Sequence, residues 1–188
     1  LLAKYGFGPL AQADVKRIDR VFLTARQLGQ RVGELGRQIS NDYRGKQPIL
    51  VGVQRGMVCF MADLMREISL PVGLDFMTIS PYSGGDPPGV RITKDLDMDL
   101  TEEDVLLVED VVDTGMTLNF LMKHLGSKGP RSLEVCTLLD KKARRLVEIP
   151  IAYVGFDVPD EFLVGYGLDY LEKYRNLPFI GVLVPEPA

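Results

Sequence analysis

The densest chemistry in the chain lies in nine consecutive residues, Glu109-Asp110-Val111-Val112-Asp113-Thr114-Gly115-Met116-Thr117. Three carboxylates are followed by a Thr-Gly-x-Thr turn that enters a helical pattern running from Thr117-Leu118 to Leu125. A helix N-terminus offers free N–H groups and a partial positive charge, so it attracts anions. Gly115 lets a ligand come close to the backbone, and the hydroxyls of Thr114 and Thr117 add donors; the turn is suited to a phosphate. Glu109 and Asp110 would repel that phosphate unless they accept hydrogen bonds from a sugar diol or share a divalent cation. A ribose 5-phosphate carrying Mg²⁺ meets both conditions. Taken singly, Thr-Gly-x-Thr reads as a capped helix start and Glu-Asp as a solvated turn. What points to a site is their position directly behind the apolar run Val105-Leu106-Leu107-Val108, because ligands of open α/β sheets bind at the carboxyl ends of strands. No Gly-x-x-x-x-Gly-Lys-[Ser/Thr] loop is present, which disfavours nucleoside triphosphate hydrolysis.

Such residues need a scaffold, and the chain supplies alternating strand and helix signals. Leu28, Val32, Leu35 and Ile39 fall at helical spacing behind Thr24, a suitable N-cap. Ile49 to Val53 reads as a short buried strand, followed by Arg55-Gly56 and a helix through Phe60, Met61, Leu64, Met65 and Ile68. Val72 to Ser80 is extended, whereas Pro81 to Gly89, rich in Pro and Gly, reads as a mobile irregular loop. Val90 to Leu100 alternates apolar and polar residues and suits a hairpin arm; 105–108, 133–139, 151–154 and 180–183 read as further strands. This order predicts an α/β fold with a central, mostly parallel sheet and helices on both faces. No repeat, linker or low-complexity tract interrupts it.

Composition limits the alternatives. A chain of 188 residues, 46% hydrophobic and 26% charged, should bury roughly 70% of its unfolded surface around one core, so residues 1–188 read as a single domain. With 22 Lys+Arg against 26 Asp+Glu the net charge is −4, and neither nucleic acid nor an anionic membrane is an expected partner. Cys59 and Cys136 lie in apolar runs without a ligand set around them, which predicts free buried thiols in a reducing cytoplasm. The lone His124 excludes a multi-histidine metal site, and no apolar run reaches a membrane-spanning length. Leu1 stands where an initiating Met would, as expected of a chain that begins partway into a longer one. Nine carboxylates fall between Asp95 and Asp113 with no Lys or Arg among them. The first six (Asp95, Asp97, Asp99, Glu102, Glu103, Asp104) read as a solvated arm.

The stretch from Val105 to Leu118 resembles the signature of type I phosphoribosyltransferases, in which two acidic residues and a phosphate loop bind phosphoribosyl pyrophosphate (PRPP). Other segments between about Val21 and Val184 resemble the hypoxanthine-guanine branch of that family. Gly52-Val53-Gln54-Arg55-Gly56-Met57 is similar to its pyrophosphate loop, where the bond before the basic residue, here Gln54-Arg55, is often cis. Leu138-Leu139-Asp140-Lys141 resembles the segment whose Lys meets the purine 6-oxo group; outside the resemblance Lys141 reads as a solvated member of the basic run 141–145. Asp160-Glu161-Phe162-Leu163-Val164-Gly165-Tyr166-Gly167-Leu168-Asp169-Tyr170 resembles the family's hood, with Phe162 either stacking on the purine or serving as plain core.

The resemblance implies a type I phosphoribosyltransferase fold with a flexible lid, Pro81 to Gly89, and a small hood built from the N-terminal segment and about 150–188. It implies a cytoplasmic purine salvage enzyme that moves the 5-phosphoribosyl group from PRPP to N9 of hypoxanthine or guanine, giving IMP or GMP and pyrophosphate. Glu109, Asp110, Asp113, Thr114, Gly115, Met116 and Thr117 would bind the ribose and its phosphate, with Asp113 also the base for the purine N7 proton. Arg55, Gly56 and Arg175 would hold pyrophosphate; Lys141, Phe162 and Leu163 the purine; and Glu109, Asp110 and Asp169 the cofactor Mg²⁺. Relatives form homodimers or homotetramers. The sequence departs from the family at Pro81-Tyr82, where Ser-Tyr is usual, and at Met116, which has only its backbone to offer a phosphate. Rival readings are a PRPP-sensing regulator that binds nucleic acid, which the acidic charge disfavours, and an enzyme for adenine, xanthine or a pyrimidine.

Overall fold

The computed structural model of the chain describes residues 18–82 and 89–184. Six strands form the larger sheet: β2 (Ile49–Gln54), β3 (Gly73–Tyr82), β4 (Gly89–Lys94), β5 (Asp104–Val112), β6 (Ser132–Asp140) and β7 (Tyr153–Asp157). Their order is β4-β3-β2-β5-β6-β7, parallel throughout except for the antiparallel edge strand β4. A smaller antiparallel sheet joins β1 (Ile18–Leu23), β9 (Ile180–Leu183) and the two-residue β8 (Leu163–Val164). Tyr153–Asp157 falls in the range that the resemblance gave to the hood, and its residues pair in register with β6 as the last strand of the larger sheet, where the extended run 151–154 was expected.

Strand alternation sends neighbouring side chains to opposite faces, and helices cover both. Leu50, Leu106 and Val108 pack with α1 (Ala25–Asp42) and α2 (Val58–Glu67); Val51, Val105 and Leu107 pack with α3 (Met116–Gly126). Leu28, Val32, Leu35 and Ile39 form the buried stripe of α1. Thr24 closes its N-terminus in a capping box, accepting from Gln27 N while the Gln27 side chain accepts from Thr24 N.

The region after β3 is more regular than its composition suggests. Pro81 and Tyr82 finish β3 and Gly89 starts β4, while residues 83–88 of the expected lid lie outside the described residues. Pro81 is tolerated because β3 pairs with β2 only as far as Gln54↔Thr78; beyond that it faces β4 alone. The expected arm from Val90 to Leu100 stops being a strand at Lys94. Buried Asp75 ends it, its Oδ2 accepting the backbone N–H groups of Asp97 and Met98 at 2.8 Å each.

The solvated acidic arm also needs correction. Asp97, Asp99, Glu102 and Glu103 are exposed, but Asp95 is partly buried between His124 Nε2 at 3.0 Å and Lys128 Nζ at 2.8 Å. Asp104 is 2% exposed and is held by Ser132 Oγ at 2.5 Å, Lys46 Nζ at 3.0 Å and Arg131 at 3.2 Å. The Ser132 hydroxyl and these two cations hold its carboxyl below the usual range. A carboxylate with a depressed folded-state pKa stabilises the fold above its unfolded pKa and loses that contribution as pH falls through the folded value. Asp104→Ala should therefore cost about 1–3 kcal/mol at pH 7 in denaturant titration. The deficit should shrink below about pH 4; a pH-independent deficit would place the effect in packing instead.

Candidate functional site

β2 and β5 run side by side only from Ile49↔Val105 to Gly52↔Val108, whereas β5 stays paired with β6 as far as Val112↔Asp140. Past Gly52 the two central strands part. The opening is a cleft of about 250 Å³ lined by Arg55, Gly56, Glu109, Asp110, Asp113, Thr114, Gly115 and Thr117, with Val53, Gln54, Ile79, Val111, Val112 and Leu118 completing its wall. Glu109 and Asp110 do not follow the strand, as the sequence suggests, but lie within it. Strict alternation would put Val108 and Val112 on one face. Val112 instead joins the α3 side and Val111 the α1/α2 side, so the alternation slips by one across the acidic pair.

These acids sit in a setting hostile to charge. Burial, reinforced by the charge of Asp110, raises Glu109 well above its ordinary value. Asp110 is pushed up to about 6, chiefly by burial and with a contribution from Asp169; a hydrogen bond from Val111 N at 2.7 Å and the charge of Arg175 act the other way. Gly56 is required beside them, since a Cβ there would overlap Asp110 Oδ2. The Gln54-Arg55 bond that precedes it is cis.

Gly115, at the start of α3, supplies no side-chain cap, and Met116 N donates to Thr114 Oγ1 only at 3.4 Å; Thr114, Gly115 and Thr117 line the cleft beside the helix's first N–H groups, which have no intrahelical acceptors. Gly115 takes φ +84°, and a Cβ on it would stand 2.6 Å from Val147 O. Thr114 O accepts from Leu146 N at 2.9 Å and Val147 N at 3.2 Å, which ties the turn to the segment after β6. The buried ion pair of Arg145 with Asp140 stands behind it. Met116 points its side chain outward, 49% exposed, and does not line the cleft.

The other residues singled out by sequence lie around this cleft and not in its wall. Lys141 is nearly buried at the end of β6; its backbone N donates to Val112 O at 2.9 Å and its Nζ to Glu161 O at 2.8 Å. Phe162 is 44% exposed and meets the Tyr170 ring edge-on at 5.5 Å, so it is not plain core, whereas Leu163 is buried in β8. Arg175 is held by Gly167 O at 2.8 Å and Asp169 Oδ1 at 2.9 Å. Among the described residues no three His, Cys, Asp or Glu side chains converge as a metal site; Glu109, Asp110 and Asp169 do not form one cluster.

Two participants escaped the sequence reading. Arg144, in the short 3₁₀ turn Lys142–Arg144, lies with Nε 2.9 Å from Asp113 Oδ1 and Nη1 3.2 Å from Asp160 Oδ1. Its only sequence signal was membership of the basic run 141–145. Glu172 lies 3.3 Å from both Arg55 and Arg175, and nothing in its spacing distinguished it.

The family model for the phosphoribosyl transferase domain matches residues 22–171. The chain is 47% identical over 174 residues to a hypoxanthine phosphoribosyltransferase of Salmonella typhimurium, covering 90% of this chain and 98% of that one. It is 50% identical over 176 residues to a hypoxanthine-guanine phosphoribosyltransferase of Mycobacterium tuberculosis, covering 89% and 87%. The crystal structure of a hypoxanthine phosphoribosyltransferase from Staphylococcus aureus superposes with a TM-score of 0.88 at 44% identity, covering 93% of this chain and 96% of that one.

The raised Asp110 has a measurable consequence. Between about pH 4 and 6 the folded chain retains a proton that the unfolded chain has released, so the penalty for ionising Asp110 grows as pH rises through that window. Asp110→Asn should stabilise the ligand-free protein by about 1–3 kcal/mol at pH 7.5. The gain should fade toward pH 4; a thermal unfolding series with a gain independent of pH would assign it to something other than ionisation.

Proposed function

This chain belongs to the phosphoribosyltransferase family, and we propose on that footing that it acts as a hypoxanthine-guanine phosphoribosyltransferase. It is a purine salvage enzyme that transfers the 5-phosphoribosyl group of PRPP to N9 of hypoxanthine or guanine, forming IMP or GMP and releasing pyrophosphate. The observation that carries the site assignment is the meeting, where β2 and β5 part, of an acidic pair, an uncapped helix turn and the Arg55 loop.

The 114–117 turn takes the 5-phosphate through its backbone N–H groups and the Thr114 and Thr117 hydroxyls, with Met116 offering backbone only. Glu109 and Asp110 accept the ribose hydroxyls, fixing the sugar so that a small movement of C1 completes transfer. Arg55, Arg175 and the backbone at Gly56 stabilise the pyrophosphate as it leaves with the electron pair of the C1–O bond. Purine N9 supplies the electron pair of the new bond to C1, and Asp113 accepts the proton that purine N7 releases, once Arg144 has given up its carboxylate. Lys141 donates to the 6-oxo group, Phe162 stacks on the base, and the Leu163 backbone reads its edge.

Asp110 and Asp169 act on each other as like charges, a repulsion that a divalent cation would relieve. Mg²⁺ takes one or two carboxylates together with substrate phosphates, so no three-carboxylate cage is needed. Glu109, Asp110 and Asp169 would hold it, directly or through water, and when bound it would offset charge on the departing pyrophosphate. No described helix is long and apolar enough to cross a membrane; the free thiols Cys59 and Cys136 fit a reducing cytoplasm. By resemblance the assembly is a homodimer or homotetramer.

Purified protein given PRPP, Mg²⁺ and each of hypoxanthine, guanine, xanthine and adenine should form IMP and GMP. Failure with every 6-oxopurine would overturn the assignment, and AMP as the main product would overturn the role of Lys141. Asp113→Asn should lower kcat by about 10²-fold or more while PRPP still binds. Loss of PRPP binding with turnover at saturation preserved would make Asp113 a ribose or metal ligand.

A further inference from the structure

We infer that the Glu172 carboxylate is a built-in stand-in for pyrophosphate, seated between Arg55 and Arg175 and displaced when PRPP or pyrophosphate binds. The inference rests on the assignment of those two arginines to the pyrophosphate subsite and deepens it. Arg55 follows β2 and Arg175 precedes β9, yet one carboxylate spans them. Glu172 Oε2 lies 3.3 Å from Arg55 Nη1 and 3.3 Å from Arg175 Nη2, with Oε1 3.4 Å from the same Arg175 nitrogen. Arg175 is fixed by Gly167 O and Asp169, while Arg55 is largely exposed. The exposed cation is thus drawn toward the anchored one by a shared anion.

The backbone of Glu172 indicates that this placement is imposed. Leu171 and Glu172 have φ of +52° and +61°, in a tight turn closed by the pairing of Tyr170 with Lys173. Such positions are normally taken by Gly, Asn or Asp. Leu171 at the tip is 73% exposed, so burial of its side chain does not offset the strain. The turn is held instead by polar contacts: Glu172 N donates to Asp169 Oδ2 at 2.9 Å, and the Glu172 carboxylate meets both guanidinium groups.

The chemistry of exchange is favourable. A carboxylate resembles one end of pyrophosphate in charge and oxygen geometry but carries less of both, so a bound pyrophosphate outcompetes it. Exposed ion pairs are individually weak, which makes the exchange shallow. A carboxylate returning to the two arginines opposes retention of the product, whose release limits turnover in many enzymes.

The test is calorimetric titration of inorganic pyrophosphate at fixed Mg²⁺ into the native chain, Glu172→Gln and Glu172→Ala. Gln removes the charge at nearly constant shape, and Ala removes any residual bridge. Thermal unfolding confirms that each is folded. Both variants should bind pyrophosphate about three- to tenfold more tightly and show product inhibition strengthened by the same factor. If the native chain binds pyrophosphate and the variants bind it equally or more weakly, the stand-in role is overturned while the subsite assignment stands. If the native chain binds none, the subsite assignment falls and this inference falls with it.

Discussion

Two adjacent carboxylates set where two central strands separate impose the problem that the rest of the site solves. Glu109 and Asp110 are carried there because β5 outlasts its pairing with β2 by several residues while remaining bonded to β6. Burial makes their ionisation costly, and the neighbouring loop comes so close that a Cβ at position 56 would displace the Asp110 carboxylate. A parallel sheet buried on both faces can tolerate such a pair only at its strand ends, where a polar ligand can enter. The uncapped turn at Gly115 supplies the opposite polarity a few residues later along the same chain segment. Acidic and electropositive walls therefore line one cleft, the polarity that the proposed phosphorylated sugar would need.

Around that cleft, charged groups are paired within the chain. Asp113 has Arg144, Lys141 has the Glu161 carbonyl, and Arg55 and Arg175 share Glu172. These contacts also connect parts of the chain that the sheet alone would leave independent. Lys141 is bonded through its backbone to Val112 of β5, Arg144 reaches from the 3₁₀ turn to Asp160 beside β8, and the Arg145–Asp140 pair supports the segment that holds Thr114. The small sheet and the larger one are thereby linked at the residues assigned to the purine.

The fold was legible because its signals are local and periodic. The α1 stripe and its Thr24 cap, the apolar run of β5 and the turn into α3 all follow from side-chain spacing alone. What was not legible depends on contacts across long sequence separations. Asp104 reads as one of six solvated acids, and only the approach of Lys46, Arg131 and Ser132 reveals it as a buried anchor. Asp75 carries no signal for ending β4, because its partners are backbone groups more than twenty positions away. At the site, the acidic pair and the Thr-Gly-x-Thr turn stood out since they are contiguous, whereas Arg144 and Glu172 act through partners on other elements.

Internal pairing changes how recognition of the base is understood. Under the proposed assignment of Lys141 to the purine 6-position, the Glu161 carbonyl fixes the ammonium through one N–H and leaves its other donors for a ligand. A 6-oxo group would accept from one of them, whereas a 6-amino group is itself a donor and would set N–H against N–H. The penalty for the wrong base would then be an unmatched polar group, which discriminates more strongly than the loss of one favourable contact. Under the same proposal, Asp113 would exchange its ion pair with Arg144 for an N–H of the base. On this proposal specificity and catalysis both depend on polar groups whose orientation is set by partners within the chain.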